Sequence, residues 1–205
     1  MTARFPLVAV YADESCLGNG KEGANPGGAG VLVEYLHPDG RLTRRDLWVG
    51  EPATTNNRMA LRSVIEAFRA LSAKDGHFSV AFTTDSRYLV DGLGSWVFGW
   101  ARNGWKRKTG AIENLALWHD ALRATAGHEY AWHWVKGHAG HPQNEYANDL
   151  AVHAATTQSS SGGLVPSGFD AWLAARRAKG GAKGEIAPFP DGATFRPAAP
   201  LPRPS

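Results

Sequence analysis

The stretch Leu7-Val8-Ala9-Val10-Tyr11-Ala12, closed by Asp13 and Glu14, decides the fold. Its apolar side chains run on without alternation, the pattern of a strand covered on both faces rather than one wetted on one side. Outward from it, Gly30–Leu36 reads as a second strand, and His37-Pro38-Asp39-Gly40 as a turn. Leu42–Val49 then closes an antiparallel meander. Thr54-Thr55-Asn56-Asn57 opens a long helix, because these side chains can accept from the free N–H groups of a first turn. Leu61, Ile65 and Phe68 repeat at helical spacing within it, and Val64 and Leu71 widen the stripe.

Phe78–Thr84 is a fourth strand with Asp85 at its carboxyl end. Short helices follow over Ser86–Leu93 and Ser95–Trp100, limited by Gly92 and Gly94, and a longer one over Ile112–Ala124. Tyr130–Val135 is a fifth strand and Pro142–Ala155 a last helix. The order predicts an α/β domain over residues 1–156, a five-stranded mixed sheet of order 3-2-1-4-5 flanked by helices. Strands 1, 4 and 5 then gather their carboxyl ends, where α/β sheets place their chemistry. The remaining 157–205 is low in complexity and rich in Gly, Ser, Pro and Ala. It reads as a mostly disordered tail with a short helix over 169–178, where Trp172, Leu173 and Ala175 share a side.

Charge alone says little: 22 Lys and Arg against 19 Asp and Glu give +3. Its distribution says more. Arg102, Lys106, Arg107 and Lys108 cluster around Trp100 and Trp105, while Arg176, Arg177, Lys179 and Lys183 form a second patch. Indoles that pack on sugars beside cations that neutralise phosphates suit a nucleic acid. Cys16 is the only cysteine, so an internal disulfide is impossible, and a reducing, cytoplasmic setting is expected. No apolar run reaches roughly eighteen residues, and the N-terminus leads directly into a strand, so neither a membrane partner nor a leader is expected. Asp13 and Asp85, at the ends of neighbouring strands, would converge as phosphodiester hydrolysis with a pair of metal ions requires.

These residues resemble bacterial type 1 ribonuclease H over residues 5–155. The resemblance is carried by Asp13–Asn19, Thr54–Met59, Thr83–Ser86, Trp96, Trp100, Gly104-Trp105-Lys106, Asn114, the run Trp132–Pro142, and Asn144-Glu145. It implies a ribonuclease H-like fold and endonucleolytic hydrolysis of the RNA strand of RNA–DNA hybrids. It also implies two Mg²⁺ or Mn²⁺ ions, products with 5′-phosphates, and a monomer. In that family four acids hold the metals. The first falls on Asp13 and the third on Asp85. The second, a glutamate, falls on Ala60, and the fourth, an aspartate ten residues after the mobile catalytic histidine His138, falls on Asn148. Glu14 stands where the family usually has glycine.

Mg²⁺ sites rely on carboxylates, so metal binding is expected to be weakened and cleavage low or absent. Two alternatives stand beside this expectation. One is a non-catalytic binder of RNA–DNA hybrid or double-stranded RNA. The other is an active enzyme whose carboxylates have moved to Glu14 or Asp149. Against the second, side chains alternate along a strand, so Glu14 should point away from Asp13. Asp149 is about 100° around its helix from Asn148. By the same resemblance Cys16, Asn19, Asn56 and Asn114 touch the hybrid. Thr55 and Asn57 add small polar groups suited to sugars and phosphate, and Ser86 and Arg87 stand at a helix start, where free N–H groups attract anions. Trp96, Trp100, Arg102, Trp105, Lys106, Arg107 and Lys108 form a protrusion that grips the DNA strand.

Overall fold

The computed structural model describes residues 3–18, 25–181 and 184–204. Strand β1 (Leu7–Cys16) lies inside the sheet, parallel to β4 (Ser79–Thr84) and antiparallel to β2 (Gly27–Leu36). Strand β3 (Leu42–Glu51) pairs antiparallel with β2, and β5 (Glu129–Trp134) pairs parallel with β4. The expected five strands thus stand in the expected order. A sixth, the short β6 (Val165–Pro166), adds to the free edge of β3 and comes from the segment read as disordered.

Both faces of β1 are covered, as its unbroken apolar run requires. Val8, Val10 and Ala12 enter one core with Ala60, Leu61, Val64, Ile65 and Phe68 of α1 (Asn56–Leu71). Ala9 and Tyr11 enter another with Leu32 and Tyr146 of α5 (Pro142–Thr157). Helix α5 rides close on the sheet because Gly28 and Gly30 have no side chain. A Cβ on either would run into the carbonyls of Ala151 and Ala147.

Helices α2 (Arg87–Asp91) and α3 (Val97–Arg102) are joined by a π turn over Gly92–Trp96. The glycines expected to break the segment lie inside it; Gly92 admits the ring of buried Trp118 where a Cβ would not fit. Helix α4 (Leu115–Ala124) begins later than Ile112, because Asn114 takes a left-handed conformation (φ 56°) and caps it.

The segment after residue 156 is packed, which corrects the expectation of a mostly disordered tail. Helix α6 (Phe169–Ala178) forms where it was expected and buries Phe169 and Leu173 against Ala9, Tyr11, Leu32 and Tyr146. Further on, Phe195 is buried with Ala81 and Ala131. A composition rich in Gly, Ser and Pro hid a few well-spaced apolar anchors. Among the described residues no helix is long and apolar enough to cross a membrane.

Candidate active site

The parallel register of β1 and β4 aligns Ala12 with Thr84, so Asp13 and Asp85 follow the last paired positions side by side. Asp13, Glu14 and Asp85 each bring one carboxylate oxygen to within 4.8 Å of the others. Glu14 was expected to point away, and here the structure corrects the sequence. Alternation puts Asp13 on the α5 side of β1 and Glu14 on the α1 side, with Val8, Val10 and Ala12. Just past the last β1–β4 pair both side chains still reach the same space. The α1 side is also the one from which a glutamate at residue 60 would come. Ala60 itself is fully buried in the apolar core.

Asp13 is held from two directions. The Glu14 N–H donates to its Oδ1 (2.7 Å), and the Asn144 amide donates to its Oδ2 (3.0 Å). Asn144 is nearly fully buried on α5, and its own Oδ1 has no partner among the described residues. Nothing in the sequence reading gave it a role, although its place four residues before Asn148 on one helix side was a usable signal.

Electrostatically the cluster is unbalanced. Burial, and then the charge of Asp85, pushes Asp13 up to about 7. Burial and the charges of Asp13 and Asp85 raise Glu14 well above the usual carboxylate range, against the pull of the Ser86 side chain. Burial raises Asp85 as well, while the positive field of His138 works the other way. Glu14 Oε2 is sealed from solvent with no hydrogen-bond partner among the described residues. Convergent acids, one of them with an orphaned buried oxygen, fit a hard divalent cation.

Around the acids, Gly137 presses on the Asp85 carboxylate so closely that a Cβ would collide with it. His138 follows, exposed and with φ 52°, at the mouth of the site. His141 caps α5 by accepting from the Asn144 N–H (3.3 Å) and leans on the Tyr11 ring. Asn148 is half-buried one turn beyond Asn144. Asp149 is committed elsewhere: it accepts from the Trp172 indole (2.7 Å) and lies 3.8 Å from Arg176, so it is no replacement ligand. Trp134, in the fifth strand, is 39% exposed. Its indole donates to the Asp85 carbonyl (3.0 Å) while Arg87 stacks on its ring at 3.9 Å.

Of the residues expected to line a nucleic acid, Asn19 lies outside the described residues. Thr55 caps α1, accepting from the Arg58 N–H. Asn56 and Asn57 sit half-buried beside it, Asn56 with an unpartnered buried Oδ1. Cys16 points its thiol toward the carbonyls of Thr54 and Asn25. Ser86 precedes α2, and Asn114 donates to the Tyr88 hydroxyl (3.3 Å). Trp96, Trp100, Arg107, Tyr88, Ile112 and Glu113 line a cavity of about 340 Å³. Trp100, Asn103, Lys106, Arg107, Lys108 and Thr109 line another of about 470 Å³. Arg102 is exposed at the end of α3, and Trp105 turns the loop with φ 59°. Trp118 is fully buried, whereas Trp96 is exposed.

A mixed sheet whose central strands deliver acids to one edge, under a histidine loop and beside a basic aromatic surface, defines a metal-dependent nuclease. The comparisons agree. The RNase H family profile matches residues 6–156. Ribonuclease H of Ruegeria pomeroyi is 42% identical over 148 residues, covering 72% of this chain and 91% of that protein. Ribonuclease H of Erythrobacter litoralis is 43% identical over 153 residues, 74% of this chain and 98% of that one. The crystal structure of LC9-RNase H1, described as a type 1 RNase H with the type 2 active-site motif, is 65% identical. It superposes with a TM-score of 0.91, covering 97% of this chain and 95% of that one. The chain belongs to the RNase H family.

Proposed function

We propose that this protein is an active ribonuclease H that hydrolyses the RNA strand of RNA–DNA hybrids, with Asp13, Glu14 and Asp85 as its metal carboxylates. The observation that carries this reading is the convergence of Glu14 with the two aspartates from the α1 side. The carboxylate missing at Ala60 has moved from the helix to the strand. The relative that shares 65% of its sequence is itself described as carrying the other type's active-site motif on a type 1 protein, which supports such a displacement. The expected impairment therefore gives way to a rearranged site.

Divalent ions, Mg²⁺ or Mn²⁺ and two in number, would supply activated water and a stabilised leaving oxygen. Asp13, Glu14 and Asp85 would hold them, and Asn148 would offer a neutral amide where the family has a fourth charge. Asn144 fixes the Asp13 carboxylate, and the Trp134 indole fixes the backbone carbonyl of Asp85. His138 moves a proton at the mouth of the site. Water attacks the phosphorus, the 3′-oxygen leaves, and the product keeps a 5′-phosphate. Thr55, Asn56, Asn57 and Asn114 take the minor groove, where 2′-hydroxyls mark the RNA strand. The surface around Trp96, Trp100, Trp105 and Lys106–Lys108 takes the DNA backbone. We place catalysis in residues 1–156 and read the protein as a cytoplasmic monomer. The neutral amide of Asn148 favours the alternative of a binder without cleavage.

Cleavage of an end-labelled hybrid in Mg²⁺ and in Mn²⁺ separates the two. The wild type should cut and Glu14→Gln should not; a wild type no faster than Glu14→Gln overturns the proposal.

A further inference from the structure

The C-terminal segment returns to the active-site loop. Gln143, the second residue of α5, is fully buried, and its side-chain amide is answered by the backbone of Ala187. Its Nε2 donates to the Ala187 carbonyl (2.9 Å), and its Oε1 accepts from the Ala187 N–H (3.1 Å). A buried amide satisfied on both sides by one backbone unit fixes that unit in place. Just before it, Gly184 lies flat on Gly140, and a Cβ on Gly184 would run into the Gly140 carbonyl and touch the Pro142 ring. Beyond it, Phe189 packs with the cluster of Ala9, Tyr11, Leu32 and Tyr146. Residues 184–187 therefore form a strap across Gly140–Gln143.

What the strap covers matters more than the strap. Gly140 is two residues from His138, and the Gly140 N–H also donates to Glu145 (3.2 Å). At the loop's other end Gly137 abuts the Asp85 carboxylate. Asn144, next to Gln143, holds Asp13. Strap, histidine loop and Asp13 are thus joined through one short run of backbone.

We propose that Gln143 is a positioning residue and that strap 184–187, clasped by it, sets the place of the His138 loop and of Asn144 over the metal carboxylates. Nothing in the strap touches the reacting atoms. It limits how far the loop opens and keeps the first turn of α5 seated, so the extension beyond the catalytic domain is part of the site's alignment. This rests on the hydrolytic reading above.

Three full-length variants test it. Ala187→Pro removes the N–H that Gln143 accepts and leaves α5 unaltered. Gly184→Ala lifts the strap from Gly140. Gln143→Met keeps the bulk and loses both hydrogen bonds. Each should speed amide exchange across residues 138–144 by about tenfold, while the β1 and β4 amides stay protected. Each should slow single-turnover cleavage of the hybrid by about fivefold, with hybrid affinity within about twofold of wild type. Gly184→Ala changes neither Gln143 nor Ala187, so it keeps the test open if the other two fold poorly. Unchanged exchange over 138–144 in folded variants overturns the clasp. Faster exchange with an unchanged single-turnover rate overturns the positioning role. An inactive wild type would overturn the proposed hydrolysis instead, and the exchange measurement would still judge the strap.

Discussion

Two sets of buried acids lie on this sheet, and they are treated in opposite ways. Under α6, Glu34 and Asp46 are 1% and 3% exposed. Arg44 meets Glu34 at 2.6 Å and reaches on to Asp170 at 2.7 Å. Asp46 accepts from the Tyr146 hydroxyl (2.6 Å) and the Gly168 N–H (3.0 Å). Each of these acids has one oxygen answered from within the chain and one, Glu34 Oε2 or Asp46 Oδ1, buried without a hydrogen-bond partner among the described residues. What sets them apart is that Arg44 and the Tyr146 hydroxyl face them, and these contacts pin α6 to the sheet. At the carboxyl edge, Asp13, Glu14 and Asp85 face chiefly one another. Burying a charge is costly unless it is paired. A group of acids left unbalanced, in a protein that balances others nearby, is prepared for a cation from outside.

The largest effect expected from breaking this contrast is on catalysis. Glu14→Gln should lower the cleavage rate at least about a hundredfold, close to 3 kcal/mol at the transition state. Its metal-free form should melt higher than wild type, since one of the repelling charges is gone. Ala60→Glu placed on that background should recover part of the rate, because residue 60 and Glu14 approach from the same side of β1. Added to the wild type, it should recover nothing and destabilise, since Ala60 sits in a closed apolar core. Hybrid cleavage and thermal melting of the four proteins decide this; a Glu14→Gln variant that retains the wild-type rate sinks it.

The balanced set should respond the other way round. Glu34→Gln leaves Arg44 without its buried partner and should cost about 3 kcal/mol of stability. Cleavage per folded molecule should stay within about twofold, as urea titration beside a hybrid assay would reveal. If Glu34→Gln raised stability, the two clusters would not differ in the way argued.

A smaller effect concerns pH. The folded protein holds the Asp13 proton up to about 7, and Glu14 and Asp85 are raised as well. The unfolded chain releases these protons near pH 4. Above about pH 4 the folded state binds more protons, so this cluster's contribution to stability falls as pH rises, for Asp13 through about 7. In EDTA the Asp13 proton alone should make the loss from pH 5 to pH 8 about 2–3 kcal/mol, and the total should be smaller in Glu14→Gln. Buried His128, held down by burial, titrates in the opposite sense and is common to both proteins. Mg²⁺ should raise the melting temperature more at pH 8 than at pH 5. Equal stabilisation at both would remove the linkage between cation and protons.

The smallest effect belongs to Asn148→Asp. With Glu14 in the cluster, a further charge should alter the Mg²⁺-dependent rate less than about tenfold, about 1.4 kcal/mol. A gain larger than that from Ala60→Glu on the Glu14→Gln background would mean that α5, not β1, limits the site.

The strands and their order were legible because Leu7–Ala12 and Phe78–Thr84 are apolar throughout, and the meander is punctuated by Pro38 and Gly40. Asp13 and Asp85 were legible as acids that follow neighbouring strands, whereas His138 was named by the family resemblance alone. Glu14 was misread because alternation gives the side a residue leaves from, not where a long side chain arrives. The strap and the last strand were hidden for a different reason. The backbone of the strap is held by Gln143 and that of β6 by Arg45 and Asp46, and nothing in residues 157–205 announces partners so distant in sequence.

The two outer strands of the sheet share one further property. Along β3, the Gly50 N–H donates to the Ser159 carbonyl, the Ser161 N–H donates to that of Trp48, and β6 continues the ladder. Along β5, the Ala198 N–H donates to the Tyr130 carbonyl at 2.7 Å, between Pro197 and Pro200, which have no N–H to offer. Unpaired strand edges are templates for aggregation. One C-terminal segment closes both rims, so a protease cut soon after α6 would free the β5 rim and leave a clipped protein prone to self-association and precipitation.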